Sequence, residues 1–528
     1  MNYSGEWTMG AIVSARAEEH PDRRAVRFED SAVTYRQWHT LGNQMANGLL
    51  ALGLPAHARV AVMLPNQPEY LVAWLGVARA GMIEVPVNTA YKGDLLSYLL
   101  DHAQCQVLVI DATWIERLEA ILDQVSALQT VIVVGGPIRH LPGVRCVSWT
   151  DFVDSASSAN PEVSVAPTDV SSILYTSGTT GPSKGVVLTH VANFRMARNV
   201  VELMDYGPTD VVFNAFPLYH VNARYSGVLP VMYADGESVL HSRFSVSNFW
   251  STCRREGVTA FNYMGAVLMM LFKQPESPDD ADNPVRRAYG APAPVTIYED
   301  FERRFGVQLV EVYGSTEAGT VTMNTVEAFR IGSCGKPSPY YEVAIHDEED
   351  RPVPSGEVGE IVVRPKEPHV LFERYHGMPE ETLEAFRNLW FHTGDRGKAD
   401  EDGYLYYVDR TKDSIRRRGE NISSWEVEKV VTSHDDVAEA AAIGVPSELT
   451  EEEVMIVVVL KPGRQFDPVS LLDLCQERLP YYAVPRYVRT IDELPKTPSQ
   501  RIEKYRLREQ GLPDGTWDRE EHDYEIRR

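Results

Sequence analysis

The sequence has few cysteines, and their spacing does not suggest a metal site. Five cysteines are distributed over 528 residues, and no two of them form a Cys-x-x-Cys motif. This spacing argues against zinc and favours reduced thiols in a cytoplasmic protein. We interpret each cysteine as a small buried apolar side chain; the five are Cys105, Cys146, Cys253, Cys334 and Cys475.

Long apolar runs and an excess of basic charge are also missing. The most apolar stretch, residues 70–87, is interrupted by Arg79 and Glu84, so no segment is expected to span a membrane. Residues 1–7 lack the basic region and apolar core that begin a signal peptide. The net charge of −24 disfavours nucleic acid and anionic membranes as partners, so an anionic ligand needs a locally basic site.

The composition and the apolar pattern are those of a globular α/β protein. Hydrophobic residues make up 44% of the chain and charged residues 24%, and a chain of 528 residues predicts two or more domains. Apolar strands at 59–64, 106–110 and 130–134 alternate with helical patterns at 67–79 and 113–128. This alternation predicts parallel sheets covered by helices on both faces.

The pattern changes twice in the second half of the chain. After Arg330, short alternating strands separated by Gly/Pro turns predict a small antiparallel or barrel-like subdomain. From Thr411 onward, helical patterns at 426–433 and 469–478 alternate with apolar strands, which predicts a small α+β domain. The last residues, 513–528, are mostly charged, and we expect them to be loosely ordered.

The segment Tyr175–Gly185 (YTSGTTGPSKG) has the composition of a phosphate-binding loop. Glycines let backbone N–H groups turn toward an anion, hydroxyl groups add donors, and Lys184 supplies a point charge. The segment is not a P-loop, because Lys184 is followed by Gly185 instead of Ser or Thr. A flexible Gly/Ser linker is the alternative, but apolar segments on both sides of the loop disfavour it.

Six further motifs follow this loop in the sequence: Pro217–His220, Tyr289–Pro292, Tyr313–Glu317, Trp390–Asp395, Asp409–Asp413 and Gly419–Glu428. Together with the loop, their order resembles the adenylate-forming superfamily of acyl-CoA synthetases, peptide-synthetase adenylation domains and beetle luciferases. The resemblance covers nearly the whole chain, and it is closest in motif to the crotonobetaine/carnitine–CoA ligase-like branch. A chance match of so many motifs in order is improbable.

The resemblance implies both the domain organisation and the reaction. An N-terminal domain, residues 1–410, is expected to contain two parallel-type α/β sheets and a small β-barrel-like subdomain. A small, mobile α+β C-terminal domain is expected over residues 411–528. The implied enzyme is an AMP-forming acid–thiol ligase that uses ATP, Mg²⁺ and coenzyme A, first forming an acyl-adenylate and then a thioester.

The resemblance also implies the residues of the adenylation step. The catalytic residues are Lys184, Glu317, His220 and Arg501, and Thr176 and Glu317 share Mg²⁺. A hard cation of this kind prefers carboxylate and phosphate oxygens. The nucleotide-binding residues are Thr176, Ser177, Gly178, Thr179, Thr180, Gly290, Ala291, Pro292, Tyr313, Gly314, Ser315, Thr316, Asp395 and Arg410.

The thioester step is expected to use the basic segment near the start of the C-terminal domain. Three consecutive arginines in an acidic protein suggest a receptor for the phosphates of coenzyme A, although a solvated basic face is an alternative for each of them. Lys412 occupies the hinge position of the family, where the C-terminal domain changes its pose. The CoA-binding residues are Arg416, Arg417, Arg418, Gly419 and Glu420.

The expected acyl pocket is apolar and aromatic, with small gaps. This mixture suits a medium-sized or extended apolar acid better than acetate. Residues 219–230 contain no acidic side chain that could bind an α-amine, which argues against an amino-acid substrate. The acyl-pocket residues are Tyr219, Asn222, Tyr225, Tyr263, Met264 and Gly265.

The chain departs from the family at the last motif, where Gln500 and Arg501 replace the usual Gly-Lys pair. Arginine keeps the charge but is planar and less compact than lysine. Three functions therefore stay open: a complete ATP-dependent acyl-CoA ligase, a CoA ligase with weak adenylation that uses a preformed acyl-adenylate, and a non-catalytic acyl-nucleotide binder. The sequence does not fix the oligomeric state, and a homodimer is one candidate.

Overall fold

The protein is described here by a computed structural model, which describes residues 7–29, 31–176, 183–410, 414–447, 451–464, 467–495 and 502–527. The chain forms two compact units. Unit 1 comprises Met1–Thr89, Leu99–Tyr175 and Gly185–Asp409. Unit 2 comprises Ala90–Tyr98, Thr176–Lys184 and Arg410–Arg528.

The largest sheet has nine strands, and its centre is parallel. Its antiparallel strands lie at the two edges. In spatial order the strands are Lys336–Pro337, Gly319–Met323, Gln308–Ser315, Arg287–Gly290, Ala260–Tyr263, Val211–Asn214, Glu237–Leu240, Arg24–Phe28 and Ser31–Thr34.

A second sheet has eight strands and is likewise mostly parallel. Its strands are rich in Val, Ile and Leu because both faces are buried. In order they are Arg374–Tyr375, Lys184–Thr189, Val170–Thr176, Ile83–Pro86, Arg59–Met63, Cys105–Asp111, Thr130–Val134 and Arg145–Ser148. The expectation of an α/β fold with parallel sheets is confirmed.

Three smaller sheets follow in the second half of the chain. The first is antiparallel, as expected after Arg330, and consists of Tyr341–His346, Gly359–Pro365, Trp390–Ala399, Phe386–Arg387 and Leu405–Arg410. The second is the hairpin of Ser414–Arg417 and Glu420–Ser423. The third consists of Val437–Pro446, Glu452–Leu460, Tyr487–Thr490 and Trp517–Asp518.

The helices begin where the sequence supplies caps. Thr34 and Gln37 form a capping box, and Pro68 occupies the first turn of its helix, where a missing N–H costs nothing. The helices are Met9–Glu19, Tyr35–Leu50, Pro68–Arg79, Gly93–His102, Ile115–Glu119, Trp149–Asp154, His190–Met204, Val221–Ala223, Leu229–Tyr233, Phe249–Glu256, Gly265–Phe272, Tyr298–Phe305, Pro379–Ala385, Ser424–Thr432, Pro468–Arg478 and Lys504–Glu509.

The four-stranded sheet of unit 2 is covered on both faces. Along Val437–Pro446 and Glu452–Leu460, alternate side chains enter two separate apolar clusters, as the period of a strand requires. Ile456 and Val458 belong to one cluster, and Met455 and Val457 belong to the other. This burial explains the unbroken apolar run that predicted the strand.

Two local predictions were wrong. The segment 113–128 contains only the short α-helix Ile115–Glu119 between the 3₁₀ turns Ala112–Trp114 and Leu122–Gln124, so the predicted single helix is broken. The end of the chain is also better ordered than expected. Its Asp518 is buried, lies on a paired strand and accepts hydrogen bonds from Arg486.

Candidate nucleotide and acyl site

The segment Tyr313–Glu317 lies where a buried strand meets its antiparallel neighbour. A β-carbon at Gly314 would lie 2.0 Å from the carbonyl oxygen of Gly319, so only glycine fits at this position. The preceding Tyr313 is buried, and its Oη donates a hydrogen bond of 2.7 Å to Oδ2 of Asp395. The fold therefore brings together the expected ribose ligand and the Tyr-Gly-x-Thr-Glu motif, which are 82 residues apart.

Glu317, the expected metal ligand, is held by a tyrosine that the sequence did not reveal. Tyr375 Oη donates to Glu317 Oε1 at 3.0 Å, and the backbone N–H of Phe372 donates to the Glu317 carbonyl at 2.8 Å. None of the described residues hydrogen-bonds to Oε2. Tyr375 lies on the strand that pairs with Val186, just after the phosphate loop. One carboxylate oxygen is thus fixed, and the other is available to a ligand.

The expected adenine segment begins on the strand Arg287–Gly290, which pairs in parallel with the strand Ala260–Tyr263. A β-carbon at Gly290 would lie 2.0 Å from the carbonyl oxygen of Tyr263, which accounts for the glycine. Ala291 is half-buried and Pro292 is exposed. The N–H of the next residue, Ala293, donates to Glu311 Oε1 at 3.1 Å.

Glu311 is a buried acid directly behind this segment. The carboxyl is only 4% exposed, and burial raises its pKa to about 7. Its Oε2 has no hydrogen-bond partner among the described residues. Glu311 belongs to no recognisable sequence motif, because its partner is a backbone N–H that no motif marks.

The expected acyl gate follows the strand Val211–Asn214. The rings of Tyr219 and His220 lie 4.6 Å apart, and Asn222 Oδ1 accepts a hydrogen bond of 2.8 Å from Asn262 Nδ2. Both tyrosines expected further along the pocket are core residues. Tyr225 is 1% exposed with its hydroxyl 3.1 Å from Ser172 Oγ, and Tyr263 is fully buried.

The remaining expected acyl-pocket residues lie at the start of a helix. Met264 is buried and precedes Gly265, the first residue of the helix Gly265–Phe272. Their part in an acyl pocket stays a prediction.

Arg224 anchors the acyl gate, and sequence reasoning passed over it. It begins a π-helical turn, Arg224–Val228, a feature that often occurs at functional sites. Its guanidinium is fully buried and forms a bidentate ion pair with Glu84. It also donates hydrogen bonds of 3.1 Å to Tyr70 Oη and to the Leu218 carbonyl. The guanidinium carbon lies 3.9 Å from the ring centre of Trp74. The Glu84 carboxylate raises the pKa of Arg224 above its usual range. Neither a run of charges nor a motif marks this pair in the sequence, because Glu84 and Arg224 lie 140 residues apart.

The ends of the phosphate loop, Tyr175 and Gly185, belong to unit 1, and the residues between them belong to unit 2. Thr176 and Lys184 are half-buried, and Thr176 Oγ1 lies 3.5 Å from the Lys184 carbonyl. Ser183 Oγ donates to Glu426 Oε1 at 2.7 Å, and burial raises the pKa of Glu426 to about 7. Several expected residues lie outside the described ones: Ser177, Gly178, Thr179, Thr180, Lys412 and Arg501.

The three arginines expected to bind coenzyme A do not share one environment. Arg417 is 4% exposed, and it pairs with Glu453 at 2.5 Å and donates to the Tyr482 carbonyl at 2.7 Å. It therefore acts as an internal support. Arg416 Nε lies 3.7 Å from a carboxylate oxygen of Glu451, and Arg418 Nη2 lies 3.4 Å from Glu453.

Gly419 closes the hairpin that carries these arginines. Arg418 and Gly419 have φ of 49° and 89°, as expected for a two-residue turn in which both central residues are left-handed. The N–H of Gly419 donates to Glu451 Oε2 at 2.9 Å, and the neighbouring Glu420 is half-buried. The turn thus presents Arg418 at the surface of unit 2, with half of its side chain exposed.

Two further features bear on the class of protein. Within the described ranges, no group of three or more His, Cys, Asp or Glu side chains is arranged to hold a metal ion by itself. In the same part of the chain, every helix is too short or too polar to cross a bilayer.

Comparison with known proteins places these features in a family. The model of the AMP-binding enzyme family matches residues 13–375, and that of the AMP-binding enzyme C-terminal domain matches residues 426–501. A crotonobetaine/carnitine–CoA ligase of Salmonella heidelberg is 30% identical over 508 residues, which cover 92% of this chain and 96% of that protein.

Solved structures give the same result. The amide bond synthetase McbA from Marinactinospora thermotolerans has a TM-score of 0.84 at 26% identity, covering 95% of this chain and 99% of its own. The o-succinylbenzoate CoA synthetase MenE from Bacillus subtilis, solved with a product analogue, has a TM-score of 0.82 at 26% identity, covering 95% and 98%. The expected superfamily and the expectation of an AMP-forming ligase are confirmed, and the chain belongs to the AMP-binding enzyme family.

Proposed function

We propose that the protein is an ATP-dependent acyl-CoA ligase. A carboxylate oxygen of the acid bonds to the α-phosphorus of ATP, the bond to the bridging oxygen breaks, and pyrophosphate leaves. The thiol of coenzyme A then attacks the acyl carbon, and AMP leaves with the electron pair. The observation that carries this proposal is the hydrogen bond from Tyr313 to Asp395, together with Glu317, which Tyr375 holds on the same motif as Tyr313. The chain also matches both family models.

The residues of unit 1 suit the nucleotide. One oxygen of Asp395 accepts from Tyr313, so the carboxylate is oriented before a ribose binds, and a carboxylate is a suitable acceptor for ribose hydroxyls. At Gly290 and Gly314 a β-carbon would overlap a neighbouring backbone carbonyl, so glycine keeps the strands of this motif region together. Ala291 and Pro292 then line the adenine, and Ser315 and Thr316 complete the motif.

Glu317 fits the role of a Mg²⁺ ligand. Magnesium is usually held by one or two carboxylates and by substrate phosphates, so a single oriented glutamate suffices. The ion would neutralise charge on the phosphates, and Thr176 is the second ligand that the family resemblance implies. Lys184 and the hydroxyls and N–H groups of residues 176–180 would bind the phosphate chain itself.

In the second step we propose that unit 2 provides the binding surface for coenzyme A. Arg416 and Arg418 are the better candidates for its phosphates, because Arg417 is committed to Glu453. Gly419 and Glu420 would line the approach of the thiol, and Lys412 would act as the hinge. His220 would gate the acyl pocket. The five cysteines, all free and four of them buried, support the cytoplasmic location that we propose.

A panel of carboxylic acids with ATP and Mg²⁺ tests the proposal. Pyrophosphate release without coenzyme A reports adenylation, and thioester formation from synthetic acyl-adenylates reports the second step. Glu317→Gln should reduce pyrophosphate release by about 100-fold or more and thioester formation only slightly. Glu373→Gln, at an exposed carboxylate, is the matched control. Wild-type protein that performs neither step with any acid would overturn the proposal in favour of a non-catalytic acyl-nucleotide binder.

A ligase with weak adenylation is the second candidate, and the pair Gln500–Arg501 favours it. Arg501 would have to replace the lysine that contacts the carboxylate and the α-phosphate. Slow pyrophosphate release beside rapid thioester formation would support this candidate, particularly if Arg501→Lys with Gln500→Gly raised the first rate. Equal rates without a gain from the double change would show that arginine is fully competent.

A further inference from the structure

The expected ribose ligand, Asp395, lies in a bulge of the strand Trp390–Ala399. This strand pairs antiparallel with Gly359–Pro365, and the register of the two strands shifts along their length. At the shift, the three residues 393–395 lie opposite the single residue Ile361. Bulges often lie next to active sites, where they change the direction of a side chain. The shape of this bulge therefore decides where the carboxylate of Asp395 points.

A bulge interrupts the ladder of backbone hydrogen bonds, and two side chains replace the missing partners here. The N–H of Gly394 donates to Glu360 Oε1 at 3.0 Å. Thr393 Oγ1 donates to the Ile361 carbonyl at 2.7 Å and accepts from the N–H of Asp395 at 3.1 Å. Gly394 has a φ of 73°, which a residue without a side chain adopts readily. The conformation of the bulge is thus set by the side chains of Glu360 and Thr393.

Glu360 is itself held in place by its neighbours. Its Oε2 lies 2.9 Å from His392 Nδ1 and 3.4 Å from Arg387 Nη2. Burial opposes the charged form of Glu360, but the hydrogen bonds with His392 and Gly394 and the charge of Arg387 outweigh it and lower the pKa of the carboxyl. Glu360 is therefore ionised at neutral pH, with one oxygen beside His392 and the other bonded to the bulge.

This arrangement links Glu360 to the nucleotide side of the site. Tyr313 Oη donates to Asp395 Oδ2 at 2.7 Å, so the side chain of Asp395 is held by the tyrosine and its backbone by the bulge. Because Gly394 directly precedes Asp395, a bulge that lost its bond to Glu360 would displace this carboxylate. Hydrogen bonds from a hydroxyl to a carboxylate are short and strong, so such a displacement would weaken them.

We propose that Glu360 is a positioning residue for the ribose: it holds the bulge that directs Asp395 toward the ribose hydroxyl groups, and it thereby sets the preference for ATP over 2′-deoxy-ATP. The inference rests on the proposed function and adds to it a residue that no nucleotide-binding motif includes. Glu360 acts through Asp395 and not by contact with the nucleotide.

The test compares ATP with 2′-deoxy-ATP, and pyrophosphate release gives kcat/KM for each. We expect the wild type to prefer ATP by about 10- to 100-fold, the effect of one hydrogen bond to a charged group. Glu360→Met has a similar length without an acceptor and should lower this ratio about 10-fold. Glu360→Gln keeps an acceptor for the Gly394 N–H and should preserve most of the ratio. A loss of stability alone would lower both values equally and leave the ratio unchanged.

Two further variants complete the test. Glu342→Met, at a half-exposed carboxylate on the neighbouring strand that pairs with Arg364, is the matched control and should keep the full ratio. Thr393→Val keeps the shape of the side chain without the hydroxyl, and it should lower the ratio even if Glu360→Met does not fold. Melting temperatures establish which variants are folded. A wild-type ratio near one, or a full ratio in folded Glu360→Met or Thr393→Val, would overturn the inference.

A binding measurement separates this inference from the proposed function. Calorimetric titration with ATP and 2′-deoxy-ATP in the absence of an acid requires no turnover. Tighter binding of ATP that is lost in Glu360→Met supports the inference even if pyrophosphate is never released, in which case only the catalytic proposal fails. Equal binding of the two nucleotides contradicts the inference even if the enzyme is an active ligase. In an Asp395→Ala background, Glu360→Met should not change the ratio further, and a further change would show that Glu360 does not act through Asp395.

Discussion

The ion pair between Arg224 and Glu84 gives the most demanding prediction about the acyl gate. Both side chains are buried, with 0% and 1% of their surface exposed. Arg224 joins the π-helical turn of the gate to the strand Ile83–Pro86 and, through Tyr70 and Trp74, to the helix Pro68–Arg79. Removal of the arginine alone would leave a buried carboxylate with no cation.

Arg224→Met should therefore destabilise the protein by about 3–5 kcal/mol, the usual cost of removing one member of a buried pair. The double variant Arg224→Met/Glu84→Leu removes both charges and fills similar volume, so it should recover most of that loss. Arg351, on the surface with 69% of its side chain exposed, pairs with Glu349 and Asp347. Arg351→Met is the matched control and should cost less than about 1 kcal/mol.

Urea unfolding followed by tryptophan fluorescence measures these differences, and adenylation assays measure their effect on the gate. If the pair serves the gate, the double variant should regain stability but keep a raised KM for the acid, because apolar groups do not fix the π-helical turn Arg224–Val228 beside the gate. A single variant as stable as wild type, or a double variant as unstable as the single one, would refute the reasoning. Full recovery of both stability and KM would reduce the pair to a purely structural element.

Three other perturbations follow from the geometry. Burial raises the pKa of Glu311 from 4.5 to about 7, so the folded protein favours the protonated carboxyl. The stability that this carboxyl contributes is fully present below pH 4.5 and is lost as the pH rises through 7, by up to about 3 kcal/mol. Glu311→Gln keeps an acceptor for Ala293 N–H, so the variant should be more stable than wild type at pH 9 but not at pH 4, as measured by unfolding at both values. Tyr375→Phe frees the Glu317 carboxylate and should raise the Mg²⁺ concentration needed for half-maximal pyrophosphate release several-fold, whereas an unchanged requirement would deny Tyr375 this role. Gly419→Leu strains a left-handed turn and should impair thioester formation while sparing adenylation; intact thioester formation would contradict the assignment.

Much of the fold could be predicted because its signals are local. Apolar strands such as Arg59–Met63 lie between helices in a parallel sheet, and this arrangement requires continuous Val, Ile and Leu. Gly290 and Gly314 occupy motif positions where a β-carbon would overlap a neighbouring carbonyl, so their identity follows from backbone packing. The structure gives these motif glycines a physical cause.

The rest could not be predicted because its signals are long-range. Glu84 and Arg224 are 140 residues apart, and Glu317 and Tyr375 are 58 apart. No periodicity or spacing in the sequence relates such residues. The segment 513–528 shows the same problem, since its charged residues are ordered by pairing with a strand 30 residues earlier in the sequence, where Val488 lies opposite Trp517.

The two sides of the site rest on different contacts. On the nucleotide side, tyrosines donate hydrogen bonds to Asp395 and Glu317, so these carboxylates are oriented without a ligand. On the acyl side, Arg224 donates hydrogen bonds to Glu84, Tyr70 and the Leu218 carbonyl, and it joins the gate to the helix Pro68–Arg79. The nucleotide is common to every acid, so the groups that hold it do not distinguish one acid from another. Selection among acids must then come from the acyl side.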